Sequence, residues 1–197
     1  MVEPTLEHDA SIIWMHGLGA SANDFADMPS LISRPGTRWI FPNAPMRPVT
    51  LNNGWRMPSW FDIRFLGAGA GESERECPVE AQESAELIAS LMEEEHARGI
   101  PYNRIILVGF SQGGAMSLYT GCRFPERIAG MVCMSGYLIF HEVHLEACHD
   151  ANRTTPVLIC HGSRDEMVPL SSGQRTAEFL RENGWPVDFE HYPMFHE

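Results

Sequence analysis

The sequence predicts an α/β fold with a mostly parallel sheet, and three observations point there. Short apolar, β-branched runs alternate with segments of helical periodicity along the whole chain. One such run, "RIILVGF", passes through a glycine-flanked serine straight into a helical stretch, "SQGGAMSLYTGC". The chain of 197 residues, 44% hydrophobic and 20% charged, is long enough to bury a core as one domain, residues 1–197, without metal or disulfide staples.

The elements follow in order. Ser11–Met15 ("SIIWM") reads as a buried strand, with "HGLGASA" as the loop after it. A helix is expected around Asp24–Ser33 and a short strand at Arg38–Phe41. Pro42 to about Trp60, punctuated by Pro, Asn and Gly, reads as a long loop too apolar for a linker. "GAGAGESERE", Gly67–Glu76, has the composition of a flexible, exposed flap. Pro78–Ala97 is the clearest helix: Pro78 suits the first helical position, and Leu87, Ile88, Leu91 and Met92 recur on one face. Gly99 and Pro101 close it. Strands are expected at Arg104–Phe110, Ile128–Ser135, Pro156–Cys160 and Val187–Tyr192. Helices at Gly113–Cys122 and Ser172–Asn183 alternate with them, the second stopped by Gly184. The stretch up to Thr155 reads as irregular.

Composition narrows the function. A formal net charge of −12 disfavours nucleic acid and anionic lipid surfaces, which both need clustered Lys and Arg. No apolar run approaches the roughly 18–20 residues that span a bilayer, and "MVEPTLEHDA" is too acidic for a secretory signal, so no stable membrane insertion is expected. The five cysteines, Cys77, Cys122, Cys133, Cys148 and Cys160, are scattered singly. They fit reduced thiols in a cytoplasmic protein.

The chemistry centres on Gly109–Gly114, "GFSQGG", which contains G-x-S-x-G. A nucleophile elbow forces its serine into a strained backbone conformation, so the positions two before and two after must lack bulk. The serine Oγ then stands clear of the sheet at a helix N-terminus, whose dipole favours developing negative charge. Ser111 is therefore read as a nucleophile. It needs a base and a carboxylate to orient that base, supplied in this kind of fold from loops after later strands, acid before histidine. "HGSRDEMVP" offers Asp165 and Glu166, and Asp165 is preferred on loop position. Of the histidines in "HYPMFHE", His191 alternates with Phe189 within the strand and reads as a partly buried packing residue. His196 lies past Pro193, where ligands gather at the carboxyl ends of the strands, and is read as the base. The oxyanion donors are expected to be the backbone N–H groups of Gln112 and Leu18, the latter in "HGLG". His16 is expected to tie that loop down rather than to react. "HEVHLEACHD", His141–Asp150, has the look of a metal cluster, yet it is not H-E-x-x-H and reads as a solvated or cap segment. No metal or cofactor is expected.

With these residues laid out, the chain resembles the carboxylesterase and acyl-protein thioesterase (lysophospholipase-like) family of small α/β-hydrolases. The resemblance rests on "HGLGASANDF", "FPNAPMRPVTLNNGWRMPSWFDI", "GFSQGGAMSL", "HGSRDEMVP" and "YPMFHE", which together span nearly the whole chain. It implies an α/β-hydrolase fold and a Ser111–Asp165–His196 triad with Leu18 and Gln112 as oxyanion donors. It also implies cofactor-free hydrolysis of small-molecule esters or thioesters. The stretch from Ile63 to about Cys77 would then be a flap beside an acyl groove. Leu66, Trp60, Met57 and Val168 are the residues expected to line that groove, for short to medium acyl chains. The chain leaves no room for a large cap domain. The family pattern implies a further helix after His196, where this sequence stops at Glu197. Either that segment lies outside this sequence, or the apolar sheet face is covered otherwise, in which case a second copy is expected to cover it as a homodimer. A hydrolase scaffold with an idle triad, serving as a binding protein, is the reading from another class.

Overall fold

The computed structural model describes residues 1–32, 34–65 and 75–197, with Glu142 through its backbone alone. Six strands form one parallel sheet: β1 (Ala10–Met15), β2 (Thr37–Ile40), β5 (Ile105–Phe110), β6 (Gly130–Met134), β7 (Val157–Gly162) and β8 (Val187–Tyr192). Their spatial order is β2-β1-β5-β6-β7-β8. The chain thus builds outward from β1 to β2, then returns to the other side of β1 with β5 and builds the opposite way. That reversal makes the carboxyl ends of β1 and β5 a topological switch point, where open α/β sheets form a crevice.

The longer helices are α2 (Pro78–Ala97), α3 (Gln112–Arg123) and α5 (Leu170–Glu182), with a single-turn α1 (Met28–Leu31) and a two-turn α4 (His141–Ala147). The apolar stripe foreseen on α2 is real: Ile88 and Met92 are fully buried. They join Ile13, Met15, Ile105, Leu107, Met116, Ile159 and Leu180 in the main core, on one face of the sheet. On the other face Trp14, Trp39, Phe41 and Val108 form a smaller cluster, covered by Ala22, Phe25 and Met28. Farther along that face Ile12, Ile106 and Val132 are half-buried, and Leu158 is 36% exposed.

Three segments differ from the sequence reading. The helix expected over Asp24–Ser33 is a 3₁₀ turn, Ala22–Phe25, followed by α1; Ser33 lies outside the described residues. Pro42–Trp60 contains a hairpin, β3 (Met46–Val49) against β4 (Trp55–Pro58), paired antiparallel. Its reversal uses Asn53 and Gly54, both at positive φ (56° and 75°), the dipeptide a tight hairpin favours. The stretch before Thr155 is not irregular but holds α4 and a 3₁₀ turn, Asp150–Asn152. Gly67–Gly71 and the rest of the flap sequence up to residue 74 lie outside the described residues. At the flap's end Glu76 is buried rather than exposed, and accepts from the Tyr137 hydroxyl at 2.9 Å.

Candidate active site

Ser111 occupies the single-residue corner between β5 and α3, with φ 54° and ψ −119°. The strain explains its neighbours. A Cβ on Gly109 would sit 2.0 Å from the Gly113 carbonyl oxygen, and one on Gly113 would sit 2.3 Å from that of Met15. No larger residue fits either place, so the two glycines let the strand and helix approach closely enough to hold the serine upright. The Gln112 N–H, first in α3, has no carbonyl one turn back inside the helix.

The loop after β1 lies against this corner. A Cβ on Gly17 would touch the Ser111 Cβ at 3.3 Å. The loop is anchored on both sides: Gly19 N–H donates to the Pro58 carbonyl at 2.9 Å, and the Trp60 indole N–H to the His16 carbonyl at 2.8 Å. His16 is buried, and burial pushes its pKa below the usual imidazole value. Its Nε2 accepts from the Ala44 N–H at 3.0 Å, so the ring proton sits on Nδ1 and is given to the Gly17 carbonyl at 2.7 Å. His16 is a loop anchor, as its setting in "HGLG" suggested.

Asp165 follows β7. Its Oδ1 accepts from the N–H groups of Met167 and Val168, at 2.9 and 2.8 Å, which leaves Oδ2 to face His196. Glu166 beside it is exposed. The segment after β8 is pinned against the loop that follows β7. Ser163 N–H donates to the Tyr192 carbonyl at 2.7 Å, and Arg164 N–H to that of Met194 at 3.0 Å. Gly162 allows the contact, because a Cβ there would lie 2.3 Å from the Phe195 oxygen. The Phe110 ring packs on the His196 imidazole with centroids 4.9 Å apart.

Three side chains distant in sequence meet as a result. Ser111 Oγ lies 2.9 Å from His196 Nε2, and His196 Nδ1 lies 2.7 Å from Asp165 Oδ2. Asp165 is an acceptor, so the imidazole proton sits on Nδ1 and Nε2 is left to accept from the serine hydroxyl. His191, by contrast, is exposed on the edge strand and does not pack as the alternation suggested. Among the described residues, none covers the outermost strand at that position.

The expected groove residues divide. Met57 is half-buried, and its sulfur lies 3.6 Å from where a Cβ on Gly19 would stand, beside the loop after β1. Val168 is half-buried next to Asp165. Trp60 is fully buried, so it supports the floor and does not line an open groove. Leu66 lies outside the described residues. Sequence reasoning missed two supporting side chains. Gln112 accepts from the Trp60 N–H at 2.8 Å and donates to the Phe61 carbonyl at 2.7 Å, clamping the segment after β4. His161, under the acid, donates to the Val168 carbonyl at 2.8 Å. Its place in "CHGSRD" was the available signal.

A family model described as Phospholipase/Carboxylesterase matches residues 1–197. The chain belongs to the Phospholipase/Carboxylesterase family. It is 36% identical over 194 residues to acyl-protein thioesterase 1 of Gibberella zeae, covering 95% of this chain and 83% of that one. Identity is also 36% over 185 residues to a probable carboxylesterase of Oryza sativa subsp. japonica, covering 92% of this chain and 69% of that one. The crystal structure of Zea mays acyl-protein thioesterase 2 superposes with a TM-score of 0.84 at 30% identity, covering all of this chain (100%) and 90% of that chain. This family member has the α/β-hydrolase fold, without a large cap among the described residues, and is an ester-bond hydrolase. No helix among the described residues is long and apolar enough to cross a membrane.

Proposed function

We propose that the protein hydrolyses carboxylic esters of short to medium acyl chains through Ser111, His196 and Asp165. The observation that carries this reading is the unbroken hydrogen-bonded relay at 2.9 and 2.7 Å, ending on a strained elbow serine. Ser111 Oγ attacks the carbonyl carbon as His196 Nε2 takes its proton, and Asp165 stabilises the imidazolium. The N–H groups of Leu18 and Gln112 receive the oxyanion, the second reinforced by the α3 dipole. His196 then protonates the departing alkoxide, and water attacks the acyl-enzyme by the same route. Met57 and Val168 flank the acyl chain.

A second reading keeps the machinery and changes the leaving group: the relatives named acyl-protein thioesterases favour a thioester. A chain-length series of p-nitrophenyl esters beside acyl thioesters separates the two. The ester reading expects kcat/KM to peak at short to medium chains and to exceed that for matched thioesters; the reverse order selects the thioesterase. The half-buried strip of the sheet and the exposed Leu158 support pairing with a second copy. Light scattering is expected to give twice the chain mass, and a monomer would remove that part.

A further inference from the structure

A second cluster of nucleophilic groups lies outside the site, at the far end of α3. Cys122 in the last turn of α3, His144 in α4 and Cys148 just after α4 bring one ligand-type atom each to within 4.8 Å of one another. His149 N–H donates to the Cys122 carbonyl at 2.9 Å. This bond holds the backbones that carry the two cysteines next to each other, with their sulfurs within 4.8 Å. Cys122 is buried and Cys148 half-buried, so an oxidant from solvent meets Cys148 first.

The proton positions decide what the cluster can do. Arg123 Nη1 lies 2.9 Å from His144 Nδ1. A guanidinium only donates, so Nδ1 accepts and the neutral ring carries its proton on Nε2. Burial lowers the pKa of His144, which keeps it in that neutral form. Among the described residues its Nε2 has no hydrogen-bond partner, and a ring nitrogen lies within 4.8 Å of the Cys148 sulfur. This arrangement opposes a metal ion. A ligating imidazole needs a lone pair toward the metal and an acceptor behind it, whereas here a cation stands behind the ring. The arrangement suits a thiolate. The Cys122 S–H, then His144 and the Arg123 charge, hold the Cys148 thiol well below the ordinary thiol range. The same pairing, together with burial, pushes Cys122 well above it. The other charged or titratable neighbours are Arg153, whose guanidinium stacks over Trp185 and acts on Cys122, and His141, which acts on His144.

We propose that Cys148 and Cys122 form a redox-active pair, with Cys148 the site at which a hydroperoxide oxidises this chain and Cys122 the resolving thiol. The Cys148 thiolate attacks one peroxide oxygen and the O–O bond breaks, giving a sulfenic acid and hydroxide or alkoxide. The Cys122 sulfur then attacks the sulfenyl sulfur, forming S–S. Its thiol proton leaves with the displaced hydroxyl as water. The two thiols lose two electrons and the peroxide gains them.

Peptide mapping of the native, reduced chain after an equimolar dose of hydrogen peroxide tests this. A Cys122–Cys148 cross-linked peptide, reversed by dithiothreitol, is expected to form about tenfold faster than Cys77 or Cys160 is oxidised. In Cys122→Ser, a 1,3-dione probe is expected to trap Cys148 as the sulfenic acid. If that variant does not fold, the wild-type map decides alone. Oxidation of Cys148 no faster than that of Cys160, or no cross-link between the pair, would overturn the proposal. So would stoichiometric zinc binding that is lost in Cys148→Ser while peroxide leaves both thiols intact.

Discussion

The two ends of the sheet each hold a serine, a histidine and a carboxylate, and the two clusters are connected in different orders. At the amino-terminal end, His8 Nε2 lies 3.0 Å from Ser11 Oγ, and Ser11 donates to Glu95 Oε2 at 2.6 Å. Glu95 is ion-paired with the buried Arg38. At the carboxyl end the imidazole stands between serine and acid. The order of connection is the lesson. Ser11 spends its proton directly on a carboxylate already neutralised by a guanidinium, so no base is left to activate it. Ser11 also sits in a regular strand and is fully buried, whereas Ser111 stands at a strained corner at the head of a helix. Equal composition thus gives a structural clamp in one place and, in the other, the order of contacts that the proposed proton relay needs.

The comparison can be broken most sharply at the serines. Ser111→Ala is expected to lower kcat for ester hydrolysis by about 10⁴–10⁶-fold with the thermal midpoint unchanged. Ser11→Ala should do the opposite: kcat within about threefold of wild type, and unfolding free energy lower by about 1–3 kcal/mol in denaturant titration. Next comes the acid. Asp165→Asn is expected to cost about 10⁴-fold in kcat, because the amide can hold the imidazole in the wrong tautomer. Arg38→Met leaves the buried Glu95 only the exposed Arg98, at 3.5 Å, as a cation, and should cost up to about 3–5 kcal/mol of stability while the folded fraction keeps its kcat. The smallest effect concerns the floor of the site. Gln112→Ala removes the acceptor of the Trp60 N–H, while Ser59 Oγ still donates to the Phe61 carbonyl at 2.7 Å, and should lower stability by about 1 kcal/mol.

Much of this was legible in the sequence because it follows short-range rules. The elbow needs small residues at Gly109 and Gly113, and steric distances near 2 Å show why. The order of Ser111, Asp165 and His196 follows from strand order in a parallel sheet. The hairpin was hidden because Pro48 and Pro58 lie inside its strands, where proline argues against pairing; the Asn53-Gly54 turn was the stronger signal. Trp60 looked like a groove wall because aromatic content does not reveal which side of a loop faces in. His191 looked buried because alternation predicts a face but not whether anything covers it. Helix α4 was missed because its interior faces depend on Arg123, Phe179 and Trp185, all distant in sequence.

On the proposed mechanism Ser111 alone, of the two serines beside a histidine, is a nucleophile. A fluorophosphonate probe followed by peptide mass mapping tests it directly. One covalent adduct per chain is expected, on the peptide holding Ser111, absent in Ser111→Ala and strongly slowed in His196→Ala. Labelling of the native chain that persists in Ser111→Ala, or no labelling of a chain that hydrolyses esters, would contradict it.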